Sequence, residues 1–320
     1  LHLAFMDLSS AFDCVNRIKL WGILSTMGID PSLIDFLKLL HKDMKGTVRY
    51  NNNGACSEQF DIHNGVRQGC ILAPFLFTLY INGLDKSLLS QTSDSPRAGS
   101  LVIPALLYAN DAVLLSRTAL GLQKLIDSFV NFMRDLDLTT NFNKSHVMIV
   151  GRKSTKSRRF SVETHILSKV DSFPYLGIIF DQNRSWGPLI KNKLSSFART
   201  TAAIRRFASK MGKSPIKPLL QVYKAQSVAT VTYGAEVWGY INSSAIQTAE
   251  NVFCRRLLGV AQSTPAFMIH QELGLPYISD LIAIKPLLLW LKVWLRPECS
   301  LNQLIIKDIL ALDNGSSIGW

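Results

Sequence analysis

Four short stretches carry side chains that could do chemistry. Asp7 ends the apolar run "LAFM", where a sheet would give way to solvent. A carboxylate so placed can hold a hard divalent cation such as Mg²⁺, which prefers carboxylate oxygens and keeps waters for a substrate's phosphates. Asn110 and Asp111 lie between the apolar runs "LVIPALL" and "AVLLS", so the pattern predicts a β-hairpin turning at Asn110-Asp111. Arg67 and Gln68 sit between Gly65 and Gly69. Glycines let a backbone approach a flat partner closely, and Arg and Gln supply donors to phosphates and base edges. Lys144, in "NFNKSHVM", is a lone cation ahead of a strand. Each stretch also has a plain structural reading: an N-cap for Asp7, ordinary turn chemistry for Asn110-Asp111, an incidental charge in a loop, and a solvated lysine.

The elements that must position these groups follow from periodicity and turn chemistry. "LAFMDLS" reads as a short buried strand. Two helices follow: Leu20, Leu24 and Met27 share one face, and Leu33, Leu37 and Leu40 share another after an Asp30-Pro31 start. "GTVRY" and "CSEQFDI" form a hairpin around "NNNG", and a helix runs from about Pro74 to Leu89. Residues 120–136 repeat apolar side chains at helical spacing, "TTNFNKSHVMIV" returns as a strand, and "SFPYLGIIF" is another. "RKSTKSRR" between them reads as a solvated basic loop. Beyond about residue 180 the signals are almost wholly helical. The expected division is therefore 1–180 and 181–320, an α+β region followed by a helical one.

Composition narrows the function. At 320 residues and 48% hydrophobic content the chain can bury a core and is not a disordered one. A net charge of +12 suits polyanionic partners, nucleic acid before anionic membrane. The five cysteines (Cys14, Cys56, Cys70, Cys254 and Cys299) are scattered without CxxC pairs, which argues against a disulfide framework or zinc site and fits an intracellular, reducing compartment. The start has no signal-peptide pattern and no initiator Met, and suggests a fragment. The apolar stretch Leu281–Leu295 is broken by Lys285, Pro286 and Lys292, too short and interrupted for a span. It reads as a buried or interface helix kinked at Pro286, and the tail tryptophans Trp186, Trp238, Trp290 and Trp294 read as helical core.

Taken in order, "AFMDLSSAFDCVN", "GVRQGCILAPFLFTLYING", "YANDAVLLS", "LTTNFNKSHVM" and "FPYLGIIF" resemble the successive A to E motifs of reverse transcriptases, those of non-LTR (long interspersed, jockey-like) retrotransposons above all. The resemblance covers residues 1 to about 180. It implies a polymerase palm, a ferredoxin-like antiparallel sheet with packed helices, followed by a helical thumb and connection. It also implies RNA-directed DNA polymerisation with an RNA template, a DNA primer and deoxynucleoside triphosphates. No membrane is involved; other domains of the retrotransposon polyprotein are the expected partners, in the nucleus or cytoplasm.

By that resemblance Asp7 and Asp111 are metal ligands for two Mg²⁺ ions. Phe12 and Tyr108 lie at the incoming nucleotide, and Arg67, Gln68 and Gly69 touch template and nucleotide. Lys144 lies near the departing pyrophosphate, and Tyr175, Leu176 and Gly177 grip the primer. Two departures stand out. The family usually has Lys where this chain has Ser10, and motif C, normally Tyr-x-Asp-Asp, reads Tyr108-Ala109-Asn110-Asp111. An amide oxygen can ligate Mg²⁺ but carries no charge and bridges two cations poorly. The resemblance also implies a fingers region ahead of motif A, which begins here near residue 5. The sequence therefore predicts a severely impaired polymerase; the alternative is a catalytically inactive nucleic-acid-binding remnant or domesticated copy.

Overall fold

The computed structural model describes residues 1–49, 56–67, 69–90, 94–151, 159–162, 164–210, 216–241, 243–297, 300, 302–305 and 307. The chain divides into two compact units, Leu1–Asp171 and Ser172–Trp320. The hairpin "SFPYLGIIF" packs with the helices that follow it.

In the first unit the strands are β1 (His2–Met6), β2 (Lys45–Gly46), β3 (Phe60–Asp61), β4 (Arg97–Ala98), β5 (Leu101–Val102), β6 (Ala105–Tyr108), β7 (Asp111–Ser116), β8 (His146–Ile149), β9 (Ser161–Val162), β10 (His165–Ile166) and β11 (Ser168–Lys169). The helices are α1 (Arg17–Thr26), α2 (Pro31–Leu40), α3 (Ala73–Tyr80), α4 (Leu84–Leu89) and α5 (Ala119–Asp135). The main sheet runs β11-β8-β1-β7-β6. It is antiparallel except at its edge, where β11 lies parallel to β8. The fold is mixed α+β, with that parallel edge pair departing from the fully antiparallel expectation.

β1 lies between β7 and β8, which explains why Leu3, Ala4, Phe5 and Met6 are all buried rather than alternating. Ala4 and Met6 join Ala112, Leu114 and Val147 in one core with the helices. α5 presents Leu122, Leu125, Ile126, Phe129 and Met133 to that core, as its periodicity requires, and Thr118 caps it by accepting from Gly121 N at 3.0 Å.

Local expectations shift in three places. The helix expected from Pro74 to Leu89 is two, broken at Ile81, Asn82 and Gly83. α2 buries Ile34 and Leu37, leaving Leu33 and Leu40 exposed, and Met27 is exposed at the end of α1. Only His146–Ile149 of "TTNFNKSHVMIV" is strand; Asn141 to Lys144 make a turn. The tip "NNNG" and residues 152–158 of the basic loop lie outside the described residues; Arg159 at its end is exposed.

The second unit begins with the hairpin β12 (Ser172–Tyr175) and β13 (Ile178–Asp181). It continues as α6 (Gly187–Lys210), α7 (Ile216–Val222), a π-helical stretch Tyr223–Val228, α8 (Ala229–Thr232) and α9 (Ala235–Trp238). The last helices are α10 (Ser244–Leu258), α11 (Ala266–Leu273) and α12 (Ile278–Trp294). Trp238, Tyr223, Phe197, Ile246, Ile278 and Ile282 are central in its core.

α12 is continuous through Pro286, which has no N–H for the Ile282 carbonyl four residues back. Gly239 packs against that carbonyl so closely that a Cβ there would lie 2.5 Å from it. α12 is not a buried helix. Ile278, Ile282 and Val293 are buried, whereas Leu287, Leu288, Leu291 and Trp294 are exposed. Among the tail tryptophans Trp238 is core and Trp186 packs partly against it, while Trp290 and Trp294 stack on each other in the open, centroids 5.3 Å apart. Among the described residues no single helix is long and apolar enough to cross a membrane.

Candidate active site

Asp7 follows the last residue of β1, and its backbone is held from the side of β8. Asn141 N–H donates to Asp7 O (2.8 Å), and Asp7 N–H donates to Ser145 Oγ (3.1 Å). Ser145 is fully buried and its hydroxyl donates in turn to Asn141 O (2.8 Å). This turn carries Lys144, whose side chain is exposed and whose backbone N–H donates to Asn141 O at 3.2 Å. Ser145 and Asn141 therefore set where the strand-end carboxylate sits. Neither carries a sequence signal, since both contacts span more than a hundred residues.

On the other side of β1, Met6 pairs with Ala112, so the register brings Asp111 opposite Asp7. Residues opposite one another in an antiparallel pair point to the same face, with Cβ atoms about 5 Å apart. Their proximity shows in the chemistry. Burial first, and then the negative charge of Asp7, push the Asp111 carboxyl above its usual range.

The hairpin turn falls one residue earlier than expected. Tyr108 pairs with Asp111, and Leu115 N–H donates to Pro104 O at 2.8 Å, which leaves Ala109 and Asn110 as the two turn residues and puts Asp111 on the ladder. Ala109 has φ 53° and Asn110 is not left-handed, the φ pattern of a II′ turn, where glycine is the usual first residue. Tyr108 is exposed and pairs with Asp111, so its side chain lies on the face that carries the carboxylates.

The 65–69 loop is tied to the segment after Asp7. Val66 N–H donates to Phe12 O (2.8 Å) and Gly65 N–H to Val15 O (2.9 Å). Gly65 has φ 86°, and a Cβ there would meet the Asp13 backbone at 2.8 Å, so only glycine fits. Phe12 is half-buried with its ring 5.1 Å from that of Phe77. Arg67 and Gly69 are exposed; Gln68 lies outside the described residues.

Tyr175, Leu176 and Gly177 belong to the second unit. Leu176 (φ 49°) and Gly177 (φ 76°) form the two-residue turn of β12–β13, both left-handed as a I′ turn demands. Tyr233 Oη donates to Leu176 O (3.1 Å), and a Cβ on Gly177 would meet the Tyr233 ring at 2.8 Å. Lys193, almost fully buried in α6, fixes the same place by donating to Thr230 O and Tyr233 O, each at 3.0 Å. The sequence does not tie Tyr233 and Lys193 to this turn, because their partners are far away in the chain.

Among the described residues no three His, Cys, Asp or Glu side chains converge as a metal site. Two facing carboxylates, one with its proton affinity raised by the other, fit a single divalent cation, which would relieve their repulsion. Two carboxylates are few for a pair of cations, and the turn beside Asp111 carries the neutral amide of Asn110.

Asp7 and Asp111 thus meet at the end of a central strand and the start of its neighbour, at the rim of the sheet. Residues 1–180 match the reverse transcriptase (RNA-dependent DNA polymerase) family, and the chain belongs to it. The chain is 25% identical over 295 residues to the retrovirus-related Pol polyprotein of the type-2 retrotransposable element R2DM of Drosophila melanogaster, covering 86% of this chain and 26% of that protein. It is 23% identical over 289 residues to the probable RNA-directed DNA polymerase of transposon X-element from the same organism, covering 86% and 30%. The chain thus spans about a third or less of these curated relatives. Among solved structures, telomerase from Candida albicans with a fragment of telomeric RNA is similar with a TM-score of 0.44 at 9% identity, over 86% of this chain and 51% of that one.

The raised Asp111 carboxyl gives a stability prediction. A carboxyl whose folded value lies above its unfolded value of about 3.9 costs stability as pH rises through that unfolded value, and the cost is complete above the folded value. Asp111→Asn should therefore unfold at a higher temperature than the wild type at pH 7, with the advantage shrinking as pH falls toward 4. Magnesium should close the gap at pH 7 by stabilising only the wild type. A gap independent of pH would contradict the pairing with Asp7.

Proposed function

We propose that residues 1–180 form the palm, and residues 181–320 the thumb and connection, of a non-LTR retrotransposon reverse transcriptase whose nucleotidyl transfer is severely weakened by Asn110. The reading rests on the convergence of Asp7 and Asp111 at the ends of paired strands in a chain of this family. Asp7 and Asp111 hold Mg²⁺, which would supply Lewis-acid stabilisation of the phosphoryl oxygens. Phe12 bounds the sugar of the incoming deoxynucleoside triphosphate. Arg67, Gln68 and Gly69 meet the template and nucleotide, and Tyr108 lies at the same place. Lys144 supplies positive charge toward the pyrophosphate, and the turn at Tyr175, Leu176 and Gly177 holds the primer. The names of the retrotransposon relatives support an RNA template, a DNA primer and a polyprotein setting, and the protein would act inside the cell.

The test is binding and extension of an RNA–DNA template–primer by the chain as it stands. Affinity should fall linearly with salt on a log–log scale, as counterion release from phosphates requires. Extension in magnesium should be very slow. A flat salt response would remove nucleic acid as the partner, and rapid synthesis would overturn the impairment.

A further inference from the structure

Arg17 is the first residue of α1, and its guanidinium joins three separate segments. Nε donates to Gly65 O (2.8 Å) and Nη2 to Asn64 O (3.1 Å) in the loop. Nη1 donates to His41 O (3.0 Å) at the end of α2, and Nη2 lies 3.1 Å from Met44 Sδ ahead of β2. These partners are three carbonyls and a thioether, none of them a carboxylate. A partly buried guanidinium that, among the described residues, is compensated by neutral acceptors has its planar fork held by geometry, which a lysine's single ammonium cannot reproduce.

Two of these carbonyls, Asn64 O and Gly65 O, lie at the entrance of the 65–69 loop. Gly65 and Val66 are held from one side by Val15 O and Phe12 O, and Gly65 and Asn64 from the other by Arg17. Val66 is buried, and the next residue, Arg67, is exposed. The anchored backbone thus ends next to the exposed side chain of Arg67.

We propose that Arg17 is a positioning residue for the template loop, setting the register in which Arg67 meets nucleic acid without itself touching a phosphate. The proposal rests on the polymerase reading above, and its test separates the two. In the full chain, Arg17→Lys and Arg17→Gln should speed amide exchange at Gly65 and Val66 by tenfold or more. Exchange at Asn141, bonded to Asp7, and at Leu122 in α5 should not change, which reports that the fold persists. Affinity for an RNA–DNA template–primer should fall several-fold with the log–log salt slope unchanged. Arg67→Ala, by contrast, should reduce that slope by about 1.

A reduced slope in the Arg17 variants would make Arg17 a direct phosphate contact and overturn the proposal. Unchanged exchange at Gly65 and Val66 would overturn it equally. Should Arg17→Gln lose protection everywhere, the charge-conserving lysine variant decides. Failure of the wild type to bind the duplex would count against the polymerase reading alone, with the exchange comparison still deciding whether Arg17 anchors the loop.

Discussion

Asn110→Asp should raise magnesium-dependent primer extension by the chain by two to three orders of magnitude. Two divalent cations about 3.5–4 Å apart need several carboxylates around them, and the rim offers Asp7 and Asp111 with a neutral amide in the turn between Tyr108 and Asp111. Restoring one negative charge at that turn is expected to stabilise the transition state by about 3–4 kcal/mol, which at 1.36 kcal/mol per decade gives the stated range. The turn itself should not object. Asn and Asp are nearly isosteric, and the residue in the left-handed conformation is Ala109, not Asn110. The gain should depend on Asp7, so that Asp7→Ala abolishes it. Single-turnover extension on an RNA template with a DNA primer measures the effect. Equal rates for wild type and Asn110→Asp would show that something other than the missing charge limits the chemistry.

Glu250→Ala should be among the most destabilising single changes in the second unit, by about 3–5 kcal/mol. The Glu250 carboxylate is 1% exposed and accepts from Tyr223 Oη (2.5 Å), Gln247 Nε2 (3.0 Å) and Ile278 N (3.0 Å), the last at the open first turn of α12. His270 Nε2 stands 3.8 Å away. The Tyr223 phenol reflects this setting: burial, then the Glu250 charge, push its pKa upward. Alanine strands the buried donors of Tyr223 and Ile278, each worth about 1–3 kcal/mol when left unsatisfied, while Gln247 Nε2 keeps Asn251 Oδ1 at 2.9 Å. It also removes the carboxylate that joins the π-helical stretch, α10 and α12. Glu250→Gln keeps one acceptor oxygen and should cost only about 1–2 kcal/mol. Thermal unfolding followed by tryptophan fluorescence, with Trp238 in that core, should show a drop on the order of 10 °C for the alanine variant. A drop of a degree or two would mean that water replaces the carboxylate without loss.

The legible parts of the protein are those encoded by local pattern. α5 announces itself by apolar spacing, the Asp30-Pro31 start of α2 by cap chemistry, and the hairpin around Asn110 by apolar flanks. The membership in the reverse transcriptase family follows from five motifs in order, each contained within a few residues. Less legible were the exact turn and the exposed faces. Sliding the turn from Asn110-Asp111 to Ala109-Asn110 keeps every side chain on its face, so hydrophobic pattern cannot distinguish the two; the Leu115 to Pro104 hydrogen bond does. α12 carries apolar side chains on more than one face, and composition alone cannot tell which of them is covered.

By itself the sequence determined the strand ending on Asp7, the helices, the family, and the neutral residue at position 110, because each is a matter of residue type and short spacing. Only the tertiary structure decided that Asp111 stands opposite Asp7, that Ser145 and Asn141 fix the Asp7 backbone, that Arg17 ties the loop at Gly65 to the end of α2, and that Glu250 gathers three donors. These are hydrogen bonds and charge contacts between residues far apart in the chain. Their partners are chosen by register and packing, and many are backbone atoms, which every residue carries and which no sequence pattern can single out.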